Sequence, residues 1–533
     1  MEPVMPKPKI MFYHDGRHPL IYMYEPPMHK QEYEAAVDEL VGTPVEAIMF
    51  CLGDGRTVLH DTKVGELWGH NVKAWTHEVF QRAHRNAKHL IEEGNDPLRI
   101  VCNRAHAKGL LLYPTLLVQQ GRGPRDQDTR CSDFRFDHPQ LEIGAAGDLP
   151  EDFAGITCLD FKHEQVREER FALIEETLNN YPVDGFELQL NYCPYYFHPD
   201  QVEAGCLVMT DWITRVYEAV KKSGSDRELA IRIPASLDGC RSVGLDVEAW
   251  INQGIVDALV GQTFSGPELV DQTIDFRPLV EAAAGSPTRV HAAVHSHVDS
   301  DRLGEATIEM VRASTCNYWA QGVDGLYLAH WFNNWPYDSS FYEKLRELPH
   351  PDVMASRDKY YYVPTCTGRY PEPPLEPGTT MQLPAKLKVN QPADIGFNIS
   401  DDLDHWQEVE QVHEVLLRIR IMNMTELDRV EFRLNGQELA DCQGRKINQL
   451  FMMRGPRYLV WGYWFIYHLD SPDWPRQGRN TLQVTLRERD SELATTIPII
   501  VRDVEMEIKY LMGKNFHRGH DVADLGPHEH SVS

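Results

Sequence analysis

The chain has no CxxC pair. Its ten cysteines are scattered at positions 51, 102, 131, 158, 193, 206, 240, 316, 366 and 442, so neither a zinc ribbon nor a disulfide framework is legible, and reduced thiols in a cytoplasm are the expectation. No apolar run approaches the ~20 residues that span a bilayer. The opening MEPVMPKPKIMFYHDG has no basic segment leading into a long apolar stretch, so no secretory signal is read there. Basic residues are the scarcer charge: 53 Lys and Arg stand against 80 Asp and Glu, a net charge of -27. Such a surface repels a polyanion, and no basic stripe offsets it, which excludes nucleic acid as the expected partner. There is no 20- to 50-residue repeat, no HExxH, and no Gly-rich phosphate loop. No cofactor, no metal and no membrane partner is therefore expected.

What is present is alternation. From about residue 19 to 335, strand-like runs alternate with helical ones. The expected strands are Leu20 to Tyr24, Ala47 to Leu52, Gly109 to Val118, Gly185 to Asn191, Leu229 to Pro234, Ala258 to Thr263, Val290 to His295 and Gly325 to His330. Helical patterns lie between them, among them Trp75 to Ala107, Gln165 to Asn179, Thr210 to Lys222 and Ala306 to Gln321. Eight strands alternating with helices is the count of a (β/α)8 TIM barrel within an α/β fold class. A doubly wound open sheet is the alternative, but it usually carries a phosphate loop after its first strand. The expected division is a barrel over 1–340, a Pro/Tyr-rich linker over 341–385, a β-sandwich over 386–512 and a disordered tail over 513–533. The sandwich rests on period-two runs such as VLLRIRIMN and NTLQVTLRE, with the turn signal Asn435-Gly436.

The most informative stretch is LDFKHEQVREERFALIEETLNNYPVDGFELQLNY (159–192). Leu173, Ile174, Leu178 and Tyr181 fall at helical spacing, Pro182 stops the helix, and the period then becomes two. Phe186, Leu188 and Leu190 face one way; Glu187, Gln189 and Asn191 face the other. An inward carboxylate on a barrel strand is costly unless it is paired or functional. Glu187 is thus the first candidate catalytic acid or nucleophile; a structural ion pair with Arg232 on the next strand is the other reading, and the two can coexist, since an adjacent Arg also holds a catalytic carboxylate ionised. Asp54, Asp238 and Glu25 are candidate second carboxylates. In a barrel the reactive groups occupy the C-terminal strand ends, and that rule supplies the candidate substrate-binding set: Tyr24, Glu25, Trp68, Tyr113, Gln189, Asn191, Tyr192, Arg232, His295, His330, Trp331 and Asn333. Aromatic faces beside amides and imidazoles suit a neutral polyol. His291, His295 and His330 raise the question of a metal, although such histidines more often bond hydroxyls or fill the barrel.

These residues also carry a resemblance. LDFKHEQVREERFALIEETLNNYPVDGFELQL, with FDHPQLEIG (136–144), GLDVEAWINQGIVDALV (244–260) and GVDGLYLAHWFN (322–333), resembles the glycoside hydrolase family 10-like barrel proteins over roughly residues 10 to 340. The resemblance implies a glycosidase-like barrel followed by β-sandwich modules. Where such proteins commonly carry Asp two residues after the position of Glu187, this chain has Gln189, and an amide is neither proton donor nor nucleophile.

The expected function is a glycoside hydrolase acting on an oligosaccharide or glycoside through carboxylate acid/base chemistry. The alternatives are a non-catalytic carbohydrate-binding barrel, supported by Gln189, and a metal-dependent sugar isomerase or lyase. The strand VWGYWFIYHL (460–469), apolar on both faces, is expected to be central or to bridge subunits in a homo-oligomer.

Overall fold

The computed structural model describes residues 7–262, 270–298, 304–365, 381–440, 444–448, 462–493, 496–513 and 516. Eight parallel strands form its first part: β1 (Ile10–His14), β2 (Ala47–Asp54), β3 (Leu111–Leu117), β4 (Gly185–Gln189), β5 (Glu228–Pro234), β6 (Ala258–Gln262), β7 (Arg289–Val294) and β8 (Gly325–Leu328). Each pairs with the next, and β1 pairs with both β2 and β8, which closes the ring. The fold is a (β/α)8 barrel.

The first expected strand is misplaced. Leu20 to Tyr24 is not a strand; Pro19–Met23 forms a single π-helical turn. The strand is Ile10–His14, buried along its whole length. IMFYH shows no alternation because both faces of a barrel strand are covered, so it reads as a short apolar run rather than a period-two strand. Pro19 in turn suits a first helical position. The single helix expected over Trp75 to Ala107 is two, Glu78–Glu92 and Pro97–Ala107. Gly94 takes a left-handed φ of 76°. Asp96 caps the second helix by accepting from Arg99 N at 3.0 Å, and Pro97 opens it.

The barrel has two packing surfaces. Outward residues such as Phe12, Ile48, Leu112, Phe186, Leu188, Ile231, Leu259 and Leu326 are buried under the helices. Met11, Tyr13, Met49, Tyr113, Ala230, Val260, Ala293 and Tyr327 fill the interior. At its N-terminal end two glycines make room for large neighbours. A Cβ on Gly185 would lie 2.2 Å from the Tyr113 ring, and one on Gly325 2.4 Å from the His291 ring.

The C-terminal part is a β-sandwich. Lys359–Tyr362, Ile500–Tyr510, Val412–Met422, Tyr463–His468 and Gly444–Asn448 form one antiparallel sheet, with Ala385–Lys386 alongside; Pro392–Ile399, Gly478–Glu488, Arg429–Leu434 and Gln437–Glu438 form the other. Their shared core includes Ile395, Phe432 and Val484 from one sheet and Leu417, Ile419 and Met506 from the other. Tyr463–His468 is paired on both edges. Within the Pro/Tyr-rich stretch, Ser339–Glu347 is helical and Lys359–Tyr362 joins the sandwich. Asn317 and Gln272 tie barrel to sandwich: Asn317 Nδ2 donates to Asn398 O at 3.0 Å and Gln272 Nε2 to Tyr360 O at 3.0 Å. Among the described residues no helix is long and apolar enough to cross a membrane.

Candidate functional site at the barrel mouth

Glu187 sits at the middle of β4 and is 0% exposed. Arg232 Nε and Nη2 donate to its two oxygens, each at 3.1 Å. Tyr327 OH, from the strand across the barrel, donates to Oε2 at 3.0 Å. The Arg232 guanidinium lies 4.3 Å from the Tyr13 ring centroid and 4.5 Å from that of Tyr327. Burial works against the Arg232 cation, but Glu187, Tyr327 and Tyr13 outweigh it and raise its pKa. This bidentate, aromatic-flanked pair is a plug across the barrel. The ion pair is one of the two sequence readings of Glu187, and Arg232, 1% exposed, is its buried partner.

Above the plug, the ends of β1 and β2 hold a second charged group. Asp54, 2% exposed, accepts from Trp68 Nε1 at 3.2 Å and from Arg17 Nη1 at 3.4 Å. Asp15 accepts from the backbone N–H groups of Arg17 and His18 at 3.1 and 2.8 Å and pairs with Arg17 Nε at 3.5 Å. Burial pushes the Asp15 carboxyl up, but Arg17, His14 and His18 outweigh it and hold it below its ordinary value. Burial works against Arg17 too, and Asp54 with Asp15 raises its pKa nonetheless. Arg17 keeps 17% of its side chain exposed, so this corner presents a cation to the mouth. Beside it burial pushes the Cys51 thiol up to about 11, which keeps it protonated at neutral pH.

Asp15, Arg17 and His18 were missed in sequence because the first strand was misplaced. The signal was there: HDGRH directly follows the apolar run, as polar clusters follow the other strands.

The amide and imidazole candidates gather at the ends of β4, β7 and β8. Gln189 Nε2 donates to Thr115 Oγ1 at 3.0 Å. Asn191 is 2% exposed and its Oδ1 has no hydrogen-bond partner. His295 is likewise 2% exposed, and neither ring nitrogen has a partner. Burial first, then the Arg232 cation, pushes its pKa down to about 3, so the ring is neutral at pH 7. The His330 ring stacks on that of His295 at 6.4 Å and lies 5.2 Å from Tyr13. His330 carries a left-handed φ of 56°, and Cys193, after β4, one of 43°; such conformations are costly for residues other than glycine and cluster at functional sites. Tyr192 beside Cys193 is partly buried.

The other candidates are placed elsewhere. Glu25 is exposed and pairs with Arg82 at 2.9 Å, and Tyr24 follows the π-helical turn, so neither ends a barrel strand. Tyr113 lies at the N-terminal end, donating to Glu228 at 3.0 Å. Trp68 and Trp331 are buried. Trp68 serves Asp54, and Trp331 Nε1 donates to Val294 O at 2.8 Å; neither offers an exposed face for a sugar ring. Asp238 is exposed in the first turn of the helix Leu237–Arg241. The Asn333 side chain is outside the described residues. His291 donates to Pro8 O at 3.0 Å. Four residues along an extended strand from His295 is ~13 Å, so the three histidines do not converge on a metal.

No protein-family model matches the chain, and no curated protein matches it. Solved structures do. The α-L-fucosidase isoenzyme 2 from Paenibacillus thiaminolyticus is 11% identical over 67% of this chain, with a TM-score of 0.42; the chain spans about half of that protein, 51%. The endo-1,4-beta-mannanase from Rhizomucor miehei is 10% identical, covers 67% of this chain and 97% of its own, and has a TM-score of 0.43. An alpha-amylase from Lactobacillus plantarum is 12% identical over 89% and 98% of the two chains, with a TM-score of 0.39.

Proposed function

We propose that the chain is a carbohydrate-active barrel protein whose mouth binds a neutral glycoside. One observation carries this reading: His295 and Asn191 hold buried hydrogen-bonding atoms without partners at the C-terminal strand ends. Each buried unmet group costs about 1–3 kcal/mol. Sugar hydroxyls both donate and accept, and a neutral imidazole does the same, so a polyol satisfies these atoms without introducing charge. Gln189 and His330 stand alongside as further hydroxyl partners.

The test is calorimetric titration with a panel of mono- and oligosaccharides, with product detection by chromatography. A saccharide that binds wild type should bind Asn191→Ala and His295→Ala at least ~10-fold more weakly, about 1.4 kcal/mol each. Binding unchanged in both variants, or no saccharide bound at all, would exclude this site.

Hydrolysis is the second reading, and one observation favours it: Asp15 and Asp54 bracket Arg17 at adjacent strand ends. Glycosidic cleavage needs two carboxyl groups beside the bond, and Glu187 is engaged with Arg232. On this reading Asp54→Asn abolishes release from aryl glycosides and spares binding. Wild type that binds sugar and releases nothing leaves binding as the whole function.

A further inference from the structure

Outside the mouth, three side chains aim ligand atoms at one point. Glu66 and His70 lie on the segment after β2, and Asp133 begins the short helix Asp133–Asp137 in the long loop after β3. One ligand atom of each lies within 4.8 Å of the other two. His70 Nε2 is 3.4 Å from Asp133 Oδ1. In a tetrahedral zinc site with bonds of about 2.0–2.1 Å, neighbouring ligand atoms stand about 3.3–3.4 Å apart. That edge therefore already has the length an ion would impose. Glu66 Oε2 and His70 Nδ1 are sealed from solvent with no hydrogen-bond partner, and His70 Nε2 has only the Asp133 carboxylate at 3.4 Å, a costly state that a cation relieves.

We propose that Glu66, His70 and Asp133 bind one zinc ion, with water in the fourth position, and that the ion clamps the segment after β2 to the long loop after β3. These segments already meet through backbone and side-chain bonds. Gly69 N donates to Thr129 O at 2.8 Å, Asn71 Nδ2 to Asp128 O at 2.9 Å, and Thr57 Oγ1 to Arg130 O at 2.6 Å. Trp68, which holds Asp54, lies between the two ligands Glu66 and His70, so the ion steadies one wall of the mouth. Two cations face the cluster. Arg56 stands opposite Glu66. Arg125 donates to Asp133 Oδ1 at 2.7 Å and also to Asp137. With 45% of its side chain exposed, Arg125 can withdraw to leave the carboxylate to the metal.

The test is titration of the chelator-stripped full chain with zinc chloride, read by calorimetry and by thermal unfolding. One ion per chain should bind and raise Tm. His70→Ala should lose at least tenfold in affinity together with the Tm shift. Glu66→Gln, nearly isosteric, should show the same loss and serves if His70→Ala fails to fold. Arg125→Ala removes a competitor for Asp133 and should bind several-fold more tightly, which a purely structural ion-pair cluster does not predict. The histidines at 517, 520, 528 and 530 offer separate ligands; zinc held there survives both ligand variants and leaves Tm unmoved. That result, or no zinc uptake by wild type, overturns the proposal.

Discussion

At Glu187 a carboxylate that strand parity marks as reactive is engaged in neutralising Arg232. Parity shows which face a side chain takes, and here it takes the inward face as expected. It says nothing of which groups meet inside a closed barrel. Arg232 is 45 residues away in sequence and Tyr327 is 140 away, so the network exists only once the ring closes. Removing one member of a buried pair leaves the other charge without a counter-ion, at a cost of about 3–5 kcal/mol, whereas removing both is often close to neutral. Glu187→Gln should therefore unfold at markedly lower urea concentration. Glu187→Gln combined with Arg232→Met should recover part of that loss, since the two residues touch and their effects do not add. Urea denaturation of the singles and the double measures it. A Glu187→Gln protein as stable as wild type would show that the plug does not hold the barrel together. Asn191 and His295 were legible for the same reason as Glu187: each lies at a strand end on the polar parity. Trp68 and Trp331 were not, because an indole after a strand reads identically whether its face is open or packed.

Seven of the eight barrel strands lie within a few residues of where the sequence places them, because their runs are bounded by turn or cap residues. The long helix before β4 follows from spacing too, running Glu164–Asn180. The failure at β1 has a physical cause. IMFYH carries no alternation, although Pro8 precedes it and Asp15-Gly16 follows, while LIYMY, six residues later, imitates a strand by its β-branched and aromatic content. Pairing decides between them. Met11 and Phe12 are bonded in register to Tyr327 and Leu328 on one side and to Ala47 and Ile48 on the other. This element closes the ring, and its end carries Asp15 and Arg17. Deleting residues 1–16 should therefore expose the edges of β2 and β8 and yield a protein without a cooperative unfolding transition. Near-UV circular dichroism and urea titration measure the loss. A cooperative transition in the deletion would show that Ile10–His14 is dispensable.

Across the whole molecule, acid should act through imidazoles as well as through carboxylates. The surface is strongly acidic, but the barrel encloses histidines that burial keeps neutral. Burial pushes His14 down to about 4; burial, with the nearby Arg289 or Arg232 cation, pushes His291 and His295 down to about 3. Each has the ordinary imidazole value of about 6.5 in the unfolded chain. Between that value and the folded one the unfolded state binds more protons, so stability rises with pH. The contribution is complete above about pH 6.5 and drains away as pH falls towards 3 to 4. At pH 5 each such histidine costs roughly 2 kcal/mol relative to pH 7. His291 isolates the effect, since it lies at the N-terminal end of the barrel, away from the mouth, with Pro8 O as its hydrogen-bond partner. His291→Gln keeps a donor for that carbonyl and cannot titrate. Its loss of unfolding free energy between pH 7 and pH 5 should be smaller than that of wild type by roughly 2 kcal/mol. Urea denaturation of both proteins at the two pH values measures the difference. An identical loss in both would mean that His291 takes up its proton in the folded barrel as readily as in the open chain, and that acid reaches the fold by another route.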